Sequence, residues 1–114
     1  MVARKVELAL QDGIIPLVCV QGPDTPIPEG CKLVAYEPVW AIGTGSPDTP
    51  ENANSVAKKL KQEYCEQLQV IYGGSINSGN VKAFLIQENI SGVLLGKASL
   101  DADEFSKIIK TLEG

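Results

Sequence analysis

Lys32-Leu33-Val34-Ala35-Tyr36-Glu37-Pro38-Val39-Trp40-Ala41-Ile42-Gly43-Thr44-Gly45 is an apolar run that ends in a single carboxylate, a rigid Pro-Val-Trp and a glycine-rich loop. Just beyond it, Thr49-Pro50-Glu51-Asn52 supplies a helix N-cap, a first-turn proline and an early acidic residue. Ala53, Val56, Ala57, Leu60 and Tyr64 then form one apolar stripe at helical spacing, predicting a helix of about 16 residues. Gln69 to Tyr72 is a second strand-sized run, closed by Gly73-Gly74-Ser75. Strand, helix and strand in that order predict a right-handed βαβ unit and a parallel sheet.

The same alternation extends in both directions. Val2, Val6, Ala9 and Leu10 recur at helical spacing and Asp12-Gly13 ends that helix. Ile14 to Val20 and Gly92 to Leu95 read as further strands. Asn77 is placed to cap a helix that buries Val81, Phe84 and Leu85, and a last helix from about Asp101 buries Phe105, Ile108, Ile109 and Leu112. Continuous apolar runs of this kind predict strands covered on both faces. Cys19, inside Pro16-Leu17-Val18-Cys19-Val20, is then expected in the core. Gln21 to Gly30 carries three prolines and two glycines, so it reads as a loop where a helix would otherwise return the chain. About four such strands leave two apolar sheet edges that invite pairing with another chain.

With 114 residues, 44% of them hydrophobic, the chain can bury a core. A net charge of -4, without any basic cluster interleaved with aromatics, argues against nucleic acid or an anionic membrane surface as partner. No apolar run approaches the roughly 20 residues of a membrane span, and Met1-Val2-Ala3-Arg4-Lys5 leads into no secretory apolar region. Cys19, Cys31 and Cys65 have no C-x-x-C spacing and the chain has no histidine, which predicts reduced thiols in a cytoplasmic protein and no metal site.

In parallel α/β proteins ligands sit beyond the C-terminal strand ends. Glu37 to Gly45, Tyr72-Gly73-Gly74-Ser75 and Gly96-Lys97-Ala98-Ser99 all fall there. Glycine turns offer backbone N–H groups that suit a phosphate, and a positioned carboxylate can move a proton. The plainer alternatives are a solvated Glu37, a purely structural Gly73-Gly74 turn, a solvated Lys97 and a core Trp40.

Ala35 to Gly45, Thr49-Pro50-Glu51, Ile71-Tyr72-Gly73-Gly74-Ser75 and Gly92-Val93-Leu94-Leu95-Gly96-Lys97-Ala98-Ser99-Leu100 together resemble the triosephosphate isomerase family in order and spacing. The resemblance implies an α/β fold: the C-terminal half of a TIM (β/α)8 barrel, about four parallel strands with flanking helices, residues 1–114 forming one half-barrel. It implies a cytoplasmic isomerase of glycolysis and gluconeogenesis, working without a cofactor. Glu37 would move a proton between adjacent carbons of dihydroxyacetone phosphate and glyceraldehyde 3-phosphate through an enediolate. Backbone N–H groups of Gly43, Ser75, Gly96 and Lys97 would hold the phosphate, with Leu94 against the substrate. Pro38, Val39 and Trp40 would form the leading hinge of a lid and Ile42, Gly43, Thr44 and Gly45 its tip. Tyr72 and Ser75 would latch that lid, whose closure excludes water and protects the intermediate.

The chain departs from the family at several points. The trailing hinge reads Ser46-Pro47-Asp48, the first strand runs into Cys19-Val20-Gln21-Gly22, and Lys97 stands where a second glycine is common. An isomerase barrel has eight strands, and the family's substrate-binding lysine in an Asn-x-Lys context, its electrophilic histidine and its subunit-interlocking loop are absent. The expected partners are therefore a triose phosphate and either an N-terminal half-barrel or a second copy of the chain. Two alternatives stand beside this: a non-catalytic half-barrel that self-associates through its edges and at most binds phosphate, and another phosphate-binding barrel enzyme.

Overall fold

The Thr49 hydroxyl accepts a hydrogen bond from the Asn52 N–H at 3.1 Å, and this cap starts the longest helix among the described residues. In a computed structural model, which describes residues 2–39 and 48–113, the chain forms helix α1 (Val2–Gln11), strand β1 (Val18–Val20) and strand β2 (Leu33–Tyr36). Helix α2 (Pro50–Glu63), strand β3 (Gln69–Tyr72), helix α3 (Val81–Leu85), strand β4 (Gly92–Val93), a 3-10 turn (Lys97–Leu100) and helix α4 (Ala102–Glu113) follow. All strand pairs are parallel and the sheet order is β1-β2-β3-β4. Gln21 to Lys32 connects β1 to β2 without a helix, as its prolines require. Tyr64, the α2 C-cap, takes the Ile27 N–H on its hydroxyl at 2.8 Å and ties this connection down.

The core lies between the sheet and its helices. Val18, Val20, Val34, Tyr36, Val70 and Tyr72 project from one sheet face into a cluster with Ala53, Val56, Ala57 and Leu60 of α2, Val81 and Phe84 of α3, and Ile108 of α4. Each large apolar side chain buried this way contributes about 1.5–3 kcal/mol, whereas helix propensities differ by tenths. Packing therefore decides where the helices sit.

The opposite sheet face corrects the expectation of strands covered on both sides. Cys19 and Gln69 are exposed and Ile71 is half-buried, so burial alternates along β1 and β3. A strand points successive side chains to opposite faces, and only one face meets helices among the described residues. Cys19 is thus exposed, not in the core. The same cause corrects the α4 stripe. On α4 only Ile108 is buried, while Phe105, Ile109 and Leu112 are exposed; on α1 only Val6 is buried, while Val2 and Leu10 are exposed.

Element lengths also differ from expectation. Ile14, Ile15 and Leu17 are exposed and precede β1, while β4 stops at Val93. The α3 helix begins at Val81 after Asn80; Asn77 instead accepts the Gly79 and Asn80 N–H groups on its carboxamide oxygen, closing the preceding turn. Among the described residues no helix is long and apolar enough to cross a membrane.

Candidate active site

Strand parity builds the site. Cys19, Ala35, Ile71 and Gly92 are register partners, and two residues further along β2, β3 and β4 lie Glu37, Gly73 and Leu94, on the same helix-free face. The hydrogen-bond ladder runs past the strand ends to hold them. The Glu37 N–H donates to Val20 O, Gly73 N–H to Tyr36 O and Leu94 N–H to Tyr72 O, each at 2.8 Å.

The glycine pair after β3 has a packing reason. A Cβ at Gly73 would fall 2.6 Å from Glu37 Cγ and 2.9 Å from Oε1, so the carboxylate side chain lies against bare backbone. A Cβ at Gly74 would collide with the Tyr72 hydroxyl and ring. Gly96 differs: nothing lies within 4 Å of where its Cβ would be.

Glu37, Ser75, Leu94, Gly96 and Lys97 share one open cleft of about 700 Å³ at this end of the sheet. Asp101 and Glu104 also line it, but both carboxylates are engaged. Asp101 accepts from the N–H groups of Asp103 and Glu104 at the start of α4. The Ser78 N–H reaches Glu104 Oε1 at 2.6 Å, which holds the Glu104 carboxyl below the usual carboxylate range. Lys97 stands exposed at the same rim.

Cys19 was not anticipated beside the carboxylate. Partial removal from water first, and then the neighbouring Glu37 carboxylate, raise the thiol above its ordinary range. The thiol is therefore neutral at neutral pH. The signal in the sequence was parity, since Cys19 pairs with Ala35, two residues before Glu37.

The other expected site residues divide. Tyr72 is fully buried on the helix-facing side, outside the cleft, and its hydroxyl accepts the Asp48 N–H at 2.8 Å. Pro38 is buried and Val39 exposed. Trp40, Ile42, Gly43, Thr44 and Gly45 lie outside the described residues.

The triosephosphate isomerase family model matches residues 27–112, which include the Glu37 strand end and both glycine turns, at Gly73-Gly74 and at Gly96-Lys97. The chain belongs to the triosephosphate isomerase family. A family member from Leifsonia xyli subsp. xyli is 37% identical over 138 residues, covering 96% of this chain and 53% of the relative. One from Mesomycoplasma hyorhinis is 36% identical, covering 95% and 53%, and one from Mesomycoplasma hyopneumoniae (strain 232) is 47% identical over 77 residues, covering 68% and 32%. The chain spans about half the length of the first two curated relatives. The 138-residue aligned stretch is longer than the chain, so the Leifsonia relative carries additional residues within it. Within the family's barrel fold, the four parallel strands and their helices form a half-barrel.

Proposed function

We propose that this chain carries the base and the phosphate-facing side of a triosephosphate isomerase site, completed by a half-barrel that brings a lysine and a histidine. The observation that carries the reading is the row Glu37, Gly73 and Leu94 on one face, beside Ser75, Gly96 and Lys97 in one cleft. Gly73 leaves room for Glu37 to approach a substrate carbon. Glu37 takes a proton from the hydroxymethyl carbon of dihydroxyacetone phosphate, giving an enediolate, and returns it to the former carbonyl carbon, while the hydroxyl proton passes from the first oxygen to the second, giving glyceraldehyde 3-phosphate.

The phosphate lies at Ser75, Gly96 and Lys97, held by backbone N–H groups with Gly43 completing the cradle, and Leu94 packs on the triose. No packing requires the missing side chain at Gly96, which leaves its backbone open to an anion. Pro38, Val39 and Trp40 lead into a lid tipped by Ile42, Gly43, Thr44 and Gly45, which Tyr72 and Ser75 latch. The working place is the cytoplasm, in glycolysis and gluconeogenesis, and residues 1–114 act as one half-barrel.

The missing half covers the exposed sheet face and pairs with β1 and β4, the edge strands. The test is an isomerase assay of the chain alone and mixed with a separately produced N-terminal half of a relative. Activity is expected only in the mixture, falling at least about 100-fold with Glu37→Ala. Strong activity of the chain alone overturns the need for a second half, and activity retained by Glu37→Ala overturns the role of that carboxylate.

The two free edges also favour a second reading, a non-catalytic half-barrel closed by a second copy of itself. A stable monomer by light scattering contradicts it.

A further inference from the structure

Asp48 is the buried charged side chain among the described residues, 4% exposed, and it does not line the cleft. A carboxylate leaves water only where donors replace it. Three side-chain or backbone donors do so here. Tyr36 donates its hydroxyl to Oδ2 at 2.8 Å, the Thr49 N–H reaches Oδ1 at 2.8 Å, and Asn52 Nδ2 spans both oxygens at 2.8 and 3.0 Å. The Asp48 N–H in turn donates to the Tyr72 hydroxyl at 2.8 Å.

Those two tyrosines are register partners on β2 and β3. Tyr36 immediately precedes Glu37, and Tyr72 immediately precedes Gly73, the backbone against which Glu37 rests. Both hydroxyls therefore end on one residue from beneath the sheet, while the carboxylate and its wall lie above it. Tyr72 is further held by stacking on Phe84 at 4.1 Å. Movement of either ring passes along its strand to the next residue, because the ladder from Glu37 to Val20 and from Gly73 to Tyr36 leaves the backbone little independent freedom.

We propose that Asp48 is a positioning residue for Glu37, acting through Tyr36 and Tyr72. Its importance for turnover rests on reading Glu37 as the isomerase base, but its effect on the placement of Glu37 does not. The Cys19 thiol lies on the same sheet face, paired with Ala35 two residues before Glu37, and reports that placement: burial raises it first and the Glu37 charge adds to this, so a displaced carboxylate lets more of it ionise.

The experiment is iodoacetamide labelling of the folded chain at pH 8, resolved by cysteine through mass spectrometry, with far-UV circular dichroism and slow labelling of buried Cys31 as evidence of folding. Glu37→Gln sets the full effect of losing the charge. Asp48→Ala is expected to speed Cys19 labelling at least about threefold, because more of the thiol ionises. Asp48→Asn is expected to retain part of the original behaviour, since one of its amide atoms still accepts. In the Glu37→Gln background, Asp48→Ala is expected to add nothing, which a merely structural role would not produce. Should Asp48→Ala fail to fold, Tyr36→Phe, which removes a single bond, is expected to move Cys19 in the same direction.

Unchanged Cys19 labelling in the folded Asp48 or Tyr36 variant overturns the proposal, as does an equal acceleration when Glu37 is already Gln. In the mixture with an N-terminal half, Asp48→Ala is expected to lower kcat with KM little altered. A native mixture without isomerase activity refutes the proposed function and leaves the labelling result to judge Asp48.

Discussion

Gly74→Ala measures how tightly the end of β3 is built. The added methyl strikes the Tyr72 hydroxyl and ring. That ring has little room to yield: it is fully buried, stacked on Phe84 at 4.1 Å with 12° between planes, and hydrogen-bonded to the Asp48 N–H. Swinging it aside forfeits the hydrogen bond, about 0.5–1.5 kcal/mol, and some of the stacking, about 0.5–1.5 kcal/mol. Shifting the backbone instead carries the overpacking cost of about 1–3 kcal/mol. Both routes give a destabilisation of about 1–3 kcal/mol. Tyr72→Phe removes the oxygen that the methyl meets, so Gly74→Ala is expected to be milder by about 1 kcal/mol in that background. Urea unfolding followed by circular dichroism measures all four species, with the slope checking that compactness is unaltered. The reasoning is refuted if Gly74→Ala lies within about 0.5 kcal/mol of the parent, or if its effect is the same with Phe at position 72.

Gly73→Ala acts on function instead. Its methyl meets the flexible Glu37 side chain, so unfolding stability is expected to change by less than about 1 kcal/mol while the carboxylate is displaced. Isomerase activity of the mixture is expected to fall at least about tenfold, and activity equal to the parent would show that Glu37 does not need this wall. Tyr36 supplies a pH dependence. Burial first, then the hydrogen bond to Asp48 and the charges of Asp48 and Tyr72, raise its hydroxyl above the ordinary tyrosine range. The unfolded chain ionises first, near pH 10, and binds fewer protons there, so this stabilisation is complete below about pH 10 and declines above it. Urea midpoints at pH 8 and 11 are expected to show a smaller alkaline loss for Tyr36→Phe than for the parent; equal losses would place the titration elsewhere.

The α2 helix shows what local chemistry could specify unaided. Thr49, Pro50 and the stripe Ala53, Val56, Ala57 and Leu60 each act within a few residues, and the cap and buried face follow from them. The proline-rich connection from Gln21 was equally clear, because proline limits its own backbone wherever it stands. Cys19 marks where such arguments stop. A run of apolar residues looks the same whether one or two of its faces are covered, and burial depends on elements brought from elsewhere in the chain. Phe105, Ile109 and Leu112 miscarried for the same reason, since a helix stripe names a face without naming what meets it.

The sequence by itself determined the alternating elements, the parallel order and the family, through the Glu37 strand end and its spacing from two glycine turns. Only the tertiary structure decided why both Gly73 and Gly74 lack side chains, that Cys19 faces Glu37, and that Asp48 gathers Tyr36 and Tyr72 beneath the site. The physical reason is range. Caps, turns and stripes act over a few residues along the chain, whereas steric exclusion and the burial of a carboxylate join strands and loops that only folding makes neighbours.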